Sequence, residues 1–225
     1  MHIEPGLVDP TKIFLSYATA SAALGYSAKL AWDMVRTEGV TALLARSVMA
    51  AALGFVFFEL LPTHPVGVSE VHLILGSTLL LVLGAAPAAI GLAAGLAIQS
   101  VFFAPDDLVQ YGMNVTTLLV PLFALQALAR RVIAPNTAYV DIGYTQALKL
   151  SLTYQGGIVV WVGFWALYGQ GFGAENLSSI GTFGVAYMSV VLLEPLVDLA
   201  VLGLVKQLHR LKGSPVVEPR LYTAA

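Results

Sequence analysis

The chain has 225 residues, of which 58% are hydrophobic and 11% are charged, and its formal net charge is −2. A water-soluble domain carries about 25% charged residues, so this composition excludes an ordinary soluble globular protein. The sequence contains no cysteine, which excludes thiolate metal sites, disulfides and iron–sulfur clusters.

Seven apolar stretches, each roughly 18 to 25 residues long, have the length that a helix needs to cross a bilayer. They predict an all-α polytopic membrane protein, a bundle of about seven transmembrane helices that forms one domain over residues 1–225. We expect these helices at about 12–35, 41–61, 66–83, from the turn at 84–87 to 103, 112–133, 145–168 and 179–208.

The distribution of charge predicts how this bundle is oriented. Basic residues gather in the tail and in the links on one side: Arg36, Arg130, Arg131, Lys206, Arg210, Lys212 and Arg220. The other side holds mainly acidic residues, with Lys12 as its one cation: Glu4, Asp9, Glu70, Asp106, Asp107 and Glu175. Lysine and arginine mark the cytoplasmic side, so the N-terminus is predicted to be extracytoplasmic in a multi-pass protein of the cell (inner) membrane. The polar segment 213–225 is then expected to be a flexible cytoplasmic tail.

The first two residues form a potential chelate. The amine of Met1, the backbone nitrogen of His2 and the imidazole of His2 close one five-membered and one six-membered ring around an ion. A fourth nitrogen would complete a square plane, which suits Ni²⁺ or Cu²⁺, with Co²⁺ less strictly matched. Acidic Glu4 and Asp9 precede the first basic residue, Lys12, which is unlike a cleavable signal peptide, so Met1 is expected to remain. Residues 1–11 are thus interpreted as a metal-chelating segment, against the alternative of a chance histidine after the start.

Two further histidines are predicted on the same side as His2. His72 lies at the outer end of the third predicted helix, and a neutral imidazole there would give Met1 and His2 their fourth nitrogen; the alternative is that it faces lipid headgroups. His64, in a loop between Pro62 and Pro65, is a weaker candidate that is either solvated or helps to capture metal.

Five polar residues within or near the predicted helices have alternative roles. Gln99 and Asn114 are candidates for hydrogen-bond partners that orient an imidazole, or for ordinary interhelical hydrogen bonds. Glu194 and Asp198 are four residues apart and share one helix face, and buried acids in membranes are costly. For these two, and for Glu59, a contact with another helix or another subunit is favoured over a proton relay, and their roles stay open.

Four short elements carry a resemblance to a known family. They are Met1-His2-Ile3-Glu4-Pro5-Gly6, Ser69-Glu70-Val71-His72-Leu73, Gln99 followed by an apolar run, and Gly112-Met113-Asn114. With them the chain resembles the substrate-binding (S) components of energy-coupling-factor (ECF) transporters for nickel and cobalt, the CbiM/NikM type.

The resemblance implies a non-enzymatic permease subunit of an ABC-type uptake system. Met1, His2 and His72 would bind Ni²⁺ or Co²⁺ as the transported substrate, and Gln99 and Asn114 would line the neighbourhood. A transmembrane coupling (T) subunit and cytoplasmic ATPase subunits are the implied partners, in the lipid bilayer and without nucleic acid. Departures from the family pattern, at Pro105-Asp106-Asp107 and at Thr117-Leu118, leave the choice between nickel and cobalt open.

Other functions stay open at this level. A non-transporting membrane metal sensor or assembly factor is the main alternative, and a secondary metal permease ranks below it. No G-x-x-x-x-G-K-[ST] phosphate loop occurs in the sequence, so we expect no ATP bound by this chain through that motif.

Overall fold

The computed structural model describes residues 3–224 of the chain. Their α-helices are α1 (Phe14–Glu38), α2 (Val40–Phe55), α3 (Gly76–Leu83), α4 (Ala85–Phe102), α5 (Tyr111–Val132), α6 (Tyr144–Gln170), α7 (Ala174–Met188) and α8 (Glu194–Gln207). A π-helical turn, Val56–Leu60, extends α2, and short 3-10 turns lie at Pro105–Gln110, Tyr139–Asp141, Ser189–Leu192, His209–Leu211 and Pro219–Leu221. Two strands, β1 (His64–Val66) and β2 (Ser69–Val71), pair in an antiparallel hairpin.

Helices α7 and α8 follow each other directly and form one long helical segment, Ala174–Gln207, with a break in the middle. The 3-10 turn Ser189–Leu192 separates them, and Pro195 lies in the first turn of α8, where its missing N–H is tolerated. When this pair is counted as one, the described residues form seven helical units. The prediction of an all-α polytopic membrane protein is confirmed.

Five segments of the described chain are long and apolar enough to cross a membrane. They are Val40–Leu60, Ala85–Phe102, Pro105–Val132, Tyr144–Gln170 and Ala174–Gln207. Helix α1 has 25 residues but carries several polar side chains, and α3 has only 8 residues. The bundle therefore combines five strongly apolar segments with one more polar helix and one short helix.

The first half of the predicted third helix, at 66–83, is wrong. Its N-terminal part belongs to the β1–β2 hairpin and to a short non-helical link, and the helix begins only at Gly76. The two-residue turn opens with Gly67, whose φ of +62° suits glycine, and a Cβ there would lie 2.3 Å from the Ser179 carbonyl oxygen of α7. The hairpin is therefore packed closely on α7.

Hydrogen bonds define two ends of the bundle. The hairpin end contains residues 3–13, the hairpin and the links 103–110 and 171–173. There the Tyr17 hydroxyl donates to the Val109 carbonyl at 3.0 Å. The tail end contains Gly39, Gly84, the link 133–143 and residues 208–224, where Lys206 Nζ lies 2.6 Å from Asp141 Oδ1. Gly39 and Gly84 both have φ of +91° and connect consecutive helices without a longer loop.

The tail differs from the flexible segment predicted at 213–225, because its described part packs on the tail end of the bundle. The side chains of Val217 and Leu221 are buried. The Glu218 amide donates to the Val82 carbonyl at 2.8 Å, and the Tyr222 hydroxyl donates to the Val205 carbonyl at 2.6 Å. Burial of these apolar side chains and pairing of the backbone hold the segment in place.

Arg46 of α2 connects this tail to three other parts of the chain. Its side chain is 1% exposed, and its guanidinium donates to Glu38 at 2.5 Å and to the Pro215 carbonyl at 2.8 Å. It also lies 3.5 Å from Glu218 and 3.4 Å from the Leu83 carbonyl. A buried cation needs such a full set of partners, because an unpaired one is very costly.

Replacing Arg46 with Met removes this cation and leaves the Glu38 and Glu218 carboxylates close together. Loss of one partner of a buried ion pair costs about 3–5 kcal/mol, so we expect a loss of that order in the free energy of unfolding, measured by chemical denaturation in mild detergent. The matched control is Arg36→Met at an exposed position of α1, which should change it by less than about 0.5 kcal/mol. Equal losses would contradict the role assigned to Arg46.

The deficit of Arg46→Met should also depend on pH. Burial, and then the nearby Glu38 charge, raise the pKa of Glu218, while the Arg46 guanidinium opposes them. When the pKa of a carboxyl is raised in the folded state, the folded protein loses stability as the pH rises towards that pKa. Without Arg46 the pKa rises further, so the deficit should be smaller at about pH 5 than at about pH 8.

Candidate metal centre

The N-terminal segment is anchored at the hairpin end by its backbone. The Ile3 amide donates to Asn114 Oδ1 of α5 at 3.0 Å, and Ile3 forms an antiparallel bridge with Ser69 of β2. The Glu4 amide donates to the Val68 carbonyl at 3.3 Å. The Ile3 side chain is fully buried as well. Backbone hydrogen bonds and apolar packing together therefore fix this point of the chain.

The rest of the segment packs on the end of α6. Gly169 leaves room for it, because a Cβ there would lie 1.9 Å from the Leu7 carbonyl oxygen. Two hydrogen bonds join Lys12 and Tyr168. Lys12 Nζ donates to the Tyr168 carbonyl at 3.1 Å, and the Tyr168 hydroxyl donates to the Lys12 carbonyl at 3.3 Å. Residues 3–12 are thus held by the hairpin, α5 and α6 together.

His72 follows β2 directly and is almost completely buried, with 1% of its surface exposed. Its Nε2 lies 2.9 Å from Glu70 Oε2, and its ring meets the edge of Phe58 with 6.2 Å between ring centroids. A carboxylate on one ring nitrogen orients an imidazole and raises the basicity of the other nitrogen, as is common around metal-binding histidines. The surroundings of His72 therefore suit an imidazole that binds a metal ion.

Two of the predicted site residues, Met1 and His2, lie outside the described residues. Of the others, His72 and Asn114 are brought to the anchored N-terminal segment, through the hairpin and through the Ile3 amide. Gln99 is buried, and its Oε1 has no hydrogen-bond partner among residues 3–224. His64 is exposed in β1, opposite Val71.

The sequence prediction missed two contacts of this site. Glu70 contacts His72 because alternate residues of extended chain share a face, whereas residues two apart in the predicted helix would not meet. Asn114, a candidate either to orient an imidazole or to form an interhelical hydrogen bond, accepts a hydrogen bond from the Ile3 backbone amide. The signal for the hairpin was present in Pro65, Gly67 and the alternating valines around them.

Within residues 3–224, no three side chains of the His, Asp and Glu types come close enough together to hold a metal ion. A site with three such ligands is therefore absent from that part of the chain. At the hairpin end, the described residues contribute one buried imidazole, that of His72, beside the anchored N-terminal segment.

The fold and this site define an all-α polytopic membrane protein whose N-terminal segment is inserted beside a buried histidine. Residues 2–210 match the family model for the cobalt uptake substrate-specific transmembrane region, CbiM, and the chain belongs to this family. It is accordingly a transmembrane component of metal uptake.

Solved structures agree with this fold. One described as a transition metal transporter is 17% identical, with a TM-score of 0.69 over 93% of this chain and 94% of that chain. Another, described as a truncated transition metal transporter, is also 17% identical, with a TM-score of 0.66 over 94% of this chain and 98% of that chain. No curated protein matches the sequence.

Gly169→Ala tests how the N-terminal segment is held. The added methyl group would overlap the Leu7 carbonyl, and overpacking of this kind costs about 1–3 kcal/mol. We expect the segment to open more often and trypsin to cut after Lys12 about tenfold faster, since about 1.4 kcal/mol corresponds to a factor of ten. Gly156→Ala in the same helix is the control, because a Cβ there meets nothing within 4 Å. Cleavage of Gly169→Ala at the wild-type rate would refute this packing.

Proposed function

We propose that the chain is the substrate-binding component of an energy-coupling-factor transporter and that it takes up Ni²⁺ or Co²⁺. The observation that carries this proposal is the anchoring of Ile3 to Ser69 and Asn114. Ile3, the anchored residue, is two positions after Met1 in the sequence. Its bridge partner Ser69 is three positions before His72.

Covalent geometry supports the proposed chelate. Consecutive Cα atoms are about 3.8 Å apart, so the Met1 Cα stays within about 8 Å of the Ile3 Cα. His72 is separated from Ser69 by a similarly short stretch of extended chain. The amine of Met1, the backbone nitrogen of His2 and its imidazole are therefore within reach of the buried His72 ring.

Coordination chemistry fits these donors. Four nitrogens in a plane suit Ni²⁺, and Co²⁺ accepts the same ligands with less demand on geometry. Because Nε2 of His72 contacts Glu70, we assign Nδ1 as the nitrogen that binds the ion. Glu70 and Asn114 then support the site indirectly, the first through His72 and the second through the backbone of Ile3.

The charge of the two ends supports the proposed orientation and partners. The tail end carries the basic residues Arg36, Arg46, Arg130, Arg131, Lys206, Arg210, Lys212 and Arg220, which favours the cytoplasmic side of the cell membrane. The metal site at the hairpin end then faces outward. Energy for release to the inside would come from ATPase subunits through a coupling subunit, because this sequence has no phosphate loop.

The ligand set is tested by three changes in the purified protein: one residue added before Met1, His2→Ala and His72→Ala. Each removes or displaces a proposed nitrogen, and we expect Ni²⁺ affinity to fall by at least about 100-fold, measured by calorimetry, because loss of an indirect support alone costs about 10–100-fold. His64→Ala is the control and should bind as the wild type does. Unchanged affinity after the N-terminal extension would exclude the amine as a ligand.

Metal affinity should fall as the medium becomes acidic. The ion competes with protons for an α-amine with a pKa near 7.7–8.0 and for imidazoles with a pKa near 6.5, and binding through the His2 amide nitrogen displaces a proton. We expect a steep loss of affinity below about pH 6 in a calorimetric titration. A flat profile from about pH 5 to about pH 8 would rule out this chelate.

Reconstitution with the coupling and ATPase subunits distinguishes the transporter from the alternative of a metal sensor. ATP-dependent accumulation of ⁶³Ni²⁺ in vesicles is the expected result, and it should be lost with His72→Ala. Tight metal binding without uptake in that complete system would favour the sensor.

A further inference from the structure

A second polar cluster lies inside the bundle, away from the N-terminal segment. Glu194 and Asp198 of α8 are both fully buried. Between them lies the Ser77 hydroxyl of α3, at 2.9 Å from Glu194 Oε1 and 2.7 Å from Asp198 Oδ2. Within residues 3–224, neither carboxyl has an ion pair with a Lys, Arg or His side chain among the salt bridges of the structure.

The other contacts of the two carboxyls come from α3 and α6. The Thr78 hydroxyl contacts Asp198, and the Ser151 hydroxyl contacts Glu194. The Gln155 amide nitrogen lies 2.8 Å from Glu194 Oε2 and 2.9 Å from the Ile74 carbonyl. Because a carbonyl oxygen is only an acceptor, the Ile74 contact fixes which end of the Gln155 amide faces the carboxyl.

The neighbouring side chains have one hydrogen too few to donate in every hydrogen-bond contact with the two carboxyls. Each hydroxyl of Ser77, Thr78 and Ser151 has a single hydrogen, and Gln155 has one left after its bond to Ile74. These four hydrogens face five contacts with the carboxyls, because Ser77 Oγ lies within hydrogen-bond distance of both. The missing hydrogen must be carried by one of the two carboxyls, which then donates to Ser77 Oγ.

Unpaired polar atoms around the pair point independently to a bound proton. Gln155 Oε1 and the hydroxyls of Tyr154 and Tyr187 are buried, with no hydrogen-bond partner among the described residues. The Gln155 side chain reaches Glu194, and the Tyr154 ring packs on Gly76, where a Cβ would lie 2.3 Å from it. The buried Tyr154 and Tyr187 hydroxyls suit a pair that gains and loses a proton, because they can donate to the carboxylates once the proton has left.

We propose that Glu194 and Asp198 form a proton-binding site that holds one proton between them at neutral pH. The facing elements supply no compensating cation: the titratable neighbours are Tyr154 of α6 and Tyr187 of α7, and α3 supplies only hydroxyls. Two adjacent carboxylates in an apolar interior are costly, and one proton removes half of their charge.

This site is separate from the proposed metal chelate and concerns the packing of α8. The pair lies at the start of α8, immediately after the break at Ser189–Leu192, and bonds to α3 and α6. Proton binding therefore controls how α8 is held against two other helices. Loss of the proton leaves two carboxylates that repel each other and one unmade contact at Ser77.

The first test uses infrared spectroscopy on the full chain in lipid nanodiscs. The wild type should show the carbonyl band of a buried protonated carboxyl at neutral pH, with a small downshift in D₂O. Glu194→Gln and Asp198→Asn each place an amide where the protonated carboxyl stood, so both should fold and both should lose the band. A wild type without the band at neutral pH, or a band that survives in both variants, would overturn the proposal.

The second test needs only thermal unfolding in detergent. Each single variant should unfold at a midpoint similar to the wild type near neutral pH, and the wild type should lose stability as pH rises while the single variants do not. The double variant Glu194→Gln/Asp198→Asn should unfold below either single variant, because both amide groups then donate to Ser77 Oγ and its own hydrogen loses its carboxylate acceptor. A double variant as stable as the singles, or a wild-type midpoint that follows Na⁺ concentration at fixed pH, would refute a shared proton.

Discussion

The structure at the hairpin end depends on one hydrogen bond, from the buried Ile3 amide to Asn114 Oδ1. A buried backbone N–H without a partner costs about 1–3 kcal/mol, so this segment is stable in the interior only where it meets that acceptor and the edge of β2. The bond sets the register of the segment, since a shift by one residue would bury a different amide and turn the Ile3 side chain outward. For the proposed chelate, the fixed position of Ile3 would lower the entropy cost of ordering Met1 and His2 around an ion.

The two ends of the bundle hold their non-helical segments with different chemistry. At the hairpin end the contacts of residues 3–12 are mainly neutral hydrogen bonds, each worth about 1 kcal/mol net, so this segment can open at moderate cost. At the tail end the buried Arg46 guanidinium joins Glu38, Glu218 and two carbonyl groups. A buried charge network is much more costly to break. The first kind of contact suits the proposed role of the N-terminal segment, which would have to release an ion, whereas a tail that keeps helices together is better held by the second.

The sequence predicts the apolar helices well, because length and hydropathy decide them. Helices α4, α5 and α6, and α2 together with its π-helical turn to Leu60, begin and end within a few residues of their predicted positions. It fails where an apolar stretch is not a helix: Val66, Val68 and Val71 raise hydropathy equally in a strand, and the alternation around Gly67 is the signal that identifies the hairpin. It fails again at the tail, where Val217 and Leu221 are too few to stand out and are buried only because the rest of the fold provides the surface. Asn114 could be identified as a candidate residue but not its partner, since a contact between positions 3 and 114 depends on tertiary structure.

The misassigned third helix explains why a polar cluster exists inside the bundle. Because the chain before Gly76 is not helical, α3 starts within the protein and its first turn presents Ser77 and Thr78 to the carboxyls of α8. The first amides of a helix lack intrahelical partners and carry the positive end of its dipole, which makes this a favourable place for one negative charge but not for two. The same non-helical link begins at His72, so only four residues separate the buried imidazole from Ser77. One short segment thus connects the end of β2 to the helix turn that supplies the hydroxyl between Glu194 and Asp198.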